Sequence, residues 1–286
     1  MEVTAFFEKD TSTLQYVVAD KKEKICAVFD SVLNYNHASG HTSTEACDEI
    51  IEFIKKKEYK VQWIIDTHAH ADHISGAHYL RDKLKTTYAI GEKITRVQET
   101  FKPIYDLHEL KVDGSQFDKL FKDGEEFKIG TLPVRVFSTP GHTPACMSYF
   151  VNNEACFVGD TFFMPDGGSG RCDFPQGSAE QMWKSLQKLL ALGDDVVCYV
   201  CHDYQPNGRE LKYKTTMGEQ RKNNVHLKDI STMEEYVAMR TKRDATLSMP
   251  KLIIPSIQVN IDGAKLPEKK EGDKHAHLKI PLNVLK

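Results

Sequence analysis

Apolar and polar positions follow two rhythms along this chain, and the switches between them mark its elements. Near the start, VTAFF, TLQYVVAD and KICAVFD are apolar or alternating runs of strand length. TSTEACDEIIEFIKKKEY changes rhythm. Ala46, Ile50, Phe53 and Ile54 recur at helical spacing, and Thr42 with Glu45 fits a capping box at the start of that helix. VQWIID reads as a strand ending in Asp66, and ISGAHYLRDKLK resumes a helical pattern from Ile74. Further on, LPVRVFS, ACFVGD and DVVCYVC read as strands. SAEQMWKSLQKLLAL reads as an amphipathic helix with Met182, Leu186, Leu189 and Leu190 on one side. Beyond Asp203 the chain turns polar and basic. STMEEYVAMRTKRDATL predicts a helix, LIIPSIQVNI is apolar but interrupted by Pro255, and the end predicts mostly loop. No repeat, heptad or low-complexity tract is visible.

The polar residues that follow four of these strands carry the chemistry. THAHADHISG, after VQWIID, holds His68, His70, Asp72 and His73. His142 follows LPVRVFS, Asp160 ends ACFVGD, and His202 follows DVVCYVC. Strands packed in one sheet or sandwich bring such ends to a common rim, where loops on a rigid scaffold usually carry function. Imidazole and carboxylate are the ordinary ligands of zinc and iron. Asp72 alone could instead cap a helix at Ile74, but a cap needs one oxygen and leaves three imidazoles unexplained. His37, His41, His78, His108 and His226 read as structural histidines. The second HAH, His275 and His277, has neither a strand before it nor a helix after it and reads as solvated loop.

THAHADH, TPGHT, VGDTFF and VCHDY, in this order and at these separations, resemble the metallo-β-lactamase superfamily. The resemblance implies an α+β fold, an αββα sandwich with its metal site on the rim, over residues 1–224, with 225–286 as an extension packed on it. In two-metal members the positions matching His68, His70 and His142 form one site. Those matching Asp72, His73 and His202 form the other, and Asp160 bridges them. The GR-x-D-F element, Arg171 to Phe174, the HDY at 202–204 and the tail from Glu234 are similar to the persulfide dioxygenase branch, which includes bacterial β-lactamase-like hydrolases. That branch implies one Fe(II) held by His68, His142 and Asp160, with His70, Asp72, His73 and His202 arranged around it. It also implies oxidation by O2 of glutathione persulfide, or a related small persulfide, to sulfite and thiol. Within that reaction Asp72 and His202 are the candidate catalytic residues. Arg171 is the candidate substrate contact, or equally a loop brace through Asp173. MPDGGSGR departs from the branch, whose members carry a Cys shortly before the GR; the loop borders the substrate, so the departure bears on substrate identity. The related alternative is a glyoxalase II-like thioester hydrolase with two Zn(II), in which paired metals activate a bridging water.

Length and composition narrow the rest. The chain has 286 residues, a formal net charge of −3, 40% hydrophobic and 28% charged residues. That is an ordinary globular balance with a core of ample size and no basic footprint for nucleic acid or an anionic membrane. No run approaches the roughly 18 apolar residues of a membrane span, and no signal-peptide pattern opens the chain, so a cytoplasmic location is expected. Expected partners are a glutathione-type small molecule and O2, with room for a homodimer. Lys212, Lys214 and Arg221 could meet a substrate carboxylate but read first as a solvated basic face. Seven cysteines in apolar runs read as buried thiols, not a disulfide framework. CYVCH matches a haem-attachment pattern, and Cys172, Cys198 and Cys201 could serve a sensor. In a strand, however, positions three apart face opposite ways, so Cys198 and Cys201 are poorly placed to grip one ligand.

Overall fold

The computed structural model describes residues 1–285. The first half contains β1 (Glu2–Glu8), β2 (Thr13–Asp20), β3 (Ile25–Phe29), β4 (Val32–Asn36), β5 (His41–Ser43) and α1 (Glu45–Lys57). It continues with β6 (Lys60–Ile65), β7 (Ile74–Ser75), α2 (Ala77–Leu84), β8 (Thr87–Gly91), α3 (Ile94–Ile104) and β9 (Lys119–Phe121). The second half supplies β10 (Glu126–Ile129), β11 (Leu132–Ser138), β12 (Met147–Val151), β13 (Ala155–Phe157) and α4 (Ala179–Leu190). Last come β14 (Val197–Tyr199), β15 (Lys214–Thr216), α5 (Met217–Asn223), α6 (Met233–Asp244) and α7 (Ile253–Asn260).

Two six-stranded sheets, ordered β1-β2-β3-β6-β8-β9 and β10-β11-β12-β13-β14-β15, pack face to face, and a small third sheet joins β5, β4 and β7. The sequence of β2 shows why both faces of the first sheet are covered. All eight of its residues are buried. Period-two alternation sends Leu14, Tyr16 and Val18 into the core between the sheets, and Val17 and Ala19 into the core beneath the helices. In the first core Phe29 stacks on Phe157 with ring centroids 4.8 Å apart, and Leu186 and Leu189 of α4 close the far face of the second sheet. In the second, Ile50 and Ile54 of α1, Leu80 of α2 and Phe101 of α3 cover the first sheet. The result is the four-layer αββα sandwich.

Local departures from the sequence reading have physical causes. Thr42 lies in β5 and caps nothing. Helix α1 starts after Thr44, whose hydroxyl bonds Asp48, and the free N–H of Ala46 is met by Asn34 Oδ1 at 2.9 Å. Ile74 and Ser75 do not begin a helix; they pair with Leu33 and Val32 on β4, so α2 starts three residues later. Pro255 does not interrupt α7 because it sits in the first turn, where its missing N–H has no helical acceptor to lose. α6 packs on α4, and α7 packs on β7 and α3. No helix of the described residues is long and apolar enough to cross a membrane.

Candidate metal centre

The ends of β3, β6, β11, β13 and β14 meet at one rim. Two glycines allow the approach. Gly159, at φ +52°, precedes Asp160, and a Cβ there would lie 2.6 Å from Thr67 Oγ1. Gly141, before His142, sits so close to α4 that a Cβ would lie 2.5 Å from the Cα of Met182. Larger residues at either position would push a candidate ligand off the rim.

All seven sequence-picked positions converge there. His68, His142 and Asp160 form one group, and His70, Asp72, His73 and His202 form a second; within each, the ligand atoms lie within 4.8 Å of one another. Asp160 spans both. Its Oδ2 is 3.6 Å from His142 Nε2 and 4.0 Å from His68 Nε2, and its Oδ1 is 3.4 Å from His202 Nε2. Asp72 Oδ2 is 3.1 Å from His202 Nε2 and 3.2 Å from His73 Nδ1. Asp72 caps no helix.

Outer hydrogen bonds aim the rings. His142 Nδ1 donates to the Arg171 carbonyl at 2.8 Å, and His70 Nε2 donates to Asp30 Oδ1 at 3.0 Å. Thr67 Oγ1 donates to Asp30 Oδ2 and accepts from His68 Nδ1 at 3.0 Å. His202 Nδ1 lies 3.3 Å from the Ser12 carbonyl. These roles follow from the hydrogen-bond network. They leave His68 Nε2, His70 Nδ1, His73 Nε2, His202 Nε2 and Asp160 Oδ1 buried without a hydrogen-bond partner. Buried polar atoms are rarely left so, and a ring whose outer N–H is fixed while its inner nitrogen is free is the arrangement of a metal ligand. The residues present therefore fit a metal ion.

The charges agree. Burial, with His70 and His142 beside it, holds His68 well below its ordinary pKa; burial and His73 do the same to His70. Both are neutral at pH 7, as ligation requires. Burial pushes the Asp72 carboxyl up, but His202 and His73 outweigh it and hold it well below the usual range. Behind the rim, burial raises Asp66 to about 7, and Tyr88 donates to it at 2.6 Å.

A cavity of about 1130 Å³ opens over the centre, lined among others by Asp72, His142, Asp160, His202, Phe163 and Tyr204. Arg171 also lines it. Its Nε and Nη2 grip Asp173 at 2.6 Å each and its Nη1 reaches the Ser248 carbonyl at 2.7 Å, the brace arrangement. Lys212, Lys214 and Arg221 are not on the cavity wall; Arg221 pairs with Asp194 instead. The exposed cations on the wall are Arg243 and Lys251, which make no ion pair among the described residues and which the sequence reading passed over. The loop after Asp160 is tied to α6. Arg240 Nη2 lies 2.6 Å from Asp244 Oδ1, Arg240 donates to the Ser169 carbonyl, and Asp244 accepts from Cys172 N–H at 2.9 Å. All seven cysteines are buried and free. Cys198 faces Gln220 while Cys201 faces Asp30, so the pair shares no ligand. His275 and His277 are exposed.

A two-sheet sandwich whose strand ends gather five imidazoles and two carboxylates defines a metal-binding αββα protein. A family model described as the metallo-beta-lactamase superfamily matches residues 12–202, and the chain belongs to that superfamily. It is 53% identical to a Dictyostelium discoideum protein named "Glyoxylase B2", the match covering 100% of this chain and 98% of that one. It is 27% identical to "Persulfide dioxygenase ETHE1, mitochondrial" of Bos taurus, over 86% of this chain and 81% of that one. Among solved structures, ETHE1 from Myxococcus xanthus is similar at a TM-score of 0.74 and 25% identity, covering 93% of this chain and 100% of that chain.

Proposed function

We propose that this protein is an iron-dependent persulfide dioxygenase acting on glutathione persulfide or a similar small anionic persulfide. The observation that carries the reading is the trio of His68, His142 and Asp160, of which His142 and Asp160 line the cavity and His68 is buried behind them. Two histidines and one carboxylate are the facial set of non-haem Fe(II) oxygenases. A ferrous ion held there supplies open positions and the redox change that O2 chemistry needs and zinc lacks. Likeness to the two ETHE1 proteins supports the branch.

The chain's own residues do the rest. Asp30 and the Arg171 carbonyl fix the tautomers of His70 and His142, so the inner nitrogens stay unprotonated. Arg243 and Lys251 face the carboxylates of a glutathione-type substrate across the cavity. Tyr204, whose ring stacks on His202 at 5.7 Å, and Phe163 line the cavity beside the centre. His202, whose Nε2 lies 3.1 Å from Asp72 Oδ2, stands beside the trio as the candidate proton donor to the departing thiol. In the overall reaction the terminal sulfur gains oxygen from O2 and water and leaves as sulfite, while the S–S bond breaks to release the thiol.

A second reading has its own observation. The group of His70, Asp72, His73 and His202 is complete, so two metals fit the donor set, as a glyoxalase II-like hydrolase would need; the 53% identical relative named "Glyoxylase B2" favours it too. The test is metal content of protein prepared without oxygen, with O2 uptake on adding glutathione persulfide. About one iron per chain, O2 consumed and sulfite formed is the expected result. About two zincs, no uptake and thioester cleavage would overturn it.

A further inference from the structure

Asn260, the last residue of α7, lies 185 residues after Ser75 and yet reaches the ligand-bearing turn. Its Nδ2 donates to the carbonyls of His70 and His73, both at 2.8 Å, and its Oδ1 accepts from Ser75 N–H at 2.8 Å. The side chain is buried. Its neighbours Ile253, Ile257 and Ile261 belong to the apolar core, so a carboxamide here is costly unless fully bonded. The turn at 70–73 lies outside helix and strand, so its carbonyls have no ladder to join. A carboxamide offers two donors and an acceptor on one short plane; a carboxylate of the same shape offers acceptors only.

We propose that Asn260 is a positioning residue of the metal centre, holding the 70–75 turn so that His70, Asp72 and His73 face the ion. The inference rests on the rim being a metal centre, whichever substrate it serves. Side-chain direction in a tight turn follows the backbone, and the partners that orient ligands typically tune metal affinity by about 10- to 100-fold.

The experiment uses the full chain, stripped of metal and titrated with Co(II), read by its visible absorption bands. Asn260→Asp keeps the shape and the bond from Ser75 but loses both donors; Asn260→Ala loses all three bonds. Ile257→Ala, buried in the apolar core on the same helix and removing no hydrogen bond to the turn, is the packing control. The expected result is Co(II) affinity lowered about tenfold or more in both Asn260 variants, with altered bands. Ile257→Ala should lower the melting temperature and leave affinity and bands unchanged. Unchanged affinity and bands in Asn260→Asp would overturn the proposal, as would equal loosening by Ile257→Ala. If neither Asn260 variant folds, Asn260→Ser, which retains one hydroxyl, is measured in their place against the same criteria. Failure of the unaltered chain to bind Co(II) would overturn the metal-centre reading itself, a result distinct from binding that the variants leave intact.

Discussion

The tie between α6 and the loop after Asp160 can be tested by removing one charge from it. Arg240 and Asp244 are both buried, with Nη2 2.6 Å from Oδ1. At an effective dielectric of ~20, unit charges about 4 Å apart attract by about 4 kcal/mol. Arg240→Met deletes that attraction and the bond to the Ser169 carbonyl. It strands Asp244 with the Cys172 N–H as its remaining hydrogen bond. Removing one partner of a buried pair costs about 3–5 kcal/mol, against a total stability of about 5–15 kcal/mol. Replacing both partners, as Arg240→Met with Asp244→Leu, leaves no unpaired charge; the Cys172 N–H and the Ser169 carbonyl lose their partners, so part of the loss should be recovered. Urea unfolding of the four proteins in the cycle reads this directly. The single variant should lose about 3–5 kcal/mol, and the double variant should be more stable than it. A single-variant loss under about 1 kcal/mol, the value of an exposed pair, would refute the reasoning. So would a double variant no better than the single.

Further tests follow from other contacts. His142→Ala should abolish metal binding, whereas His70→Ala should keep most of a single bound iron; metal analysis showing complete loss from His70→Ala would favour the paired-metal reading. His226 accepts the Ser169 N–H at 2.9 Å, and burial, then Arg240 and Arg243, lowers its pKa to about 4. A depressed histidine contributes stability that is present above its unfolded pKa near 6.5 and lost as pH falls towards 4. The loss of stability between pH 7 and 4.5 should therefore be smaller in His226→Asn than in the unaltered chain, by up to about 3 kcal/mol. Arg243→Ala and Lys251→Ala should each raise KM for a glutathione-type substrate several-fold with kcat little changed, because they would act on binding alone; equal loss in kcat would contradict that role.

The strands that deliver ligands were legible because an apolar run ends at a polar residue: Asp66 before His68, Asp160, and His202 directly after Cys201. The four-layer architecture came from resemblance; the local reason for it, the two-faced burial of β2, is hidden in a nearly continuous apolar stretch. What escaped has a common cause. Asn34 capping α1, the pairing of Ile74 with Leu33, and the lining role of Arg243 and Lys251 depend on partners elsewhere in the chain, and local periodicity carries no such information. Asn260 is the extreme case, because its three hydrogen bonds join residues 185 to 190 positions apart.

That distance sets an order on the making of the protein. At about 5–20 residues per second, the ribosome needs roughly 10–40 s between adding Ser75 and adding Asn260. Until then the histidine turn exists with its carbonyls unclasped. The turn that bears His70, Asp72 and His73 is made first and the proposed clamp on it 185 residues later, so on that proposal the turn takes its native aim only after α7 has been synthesised.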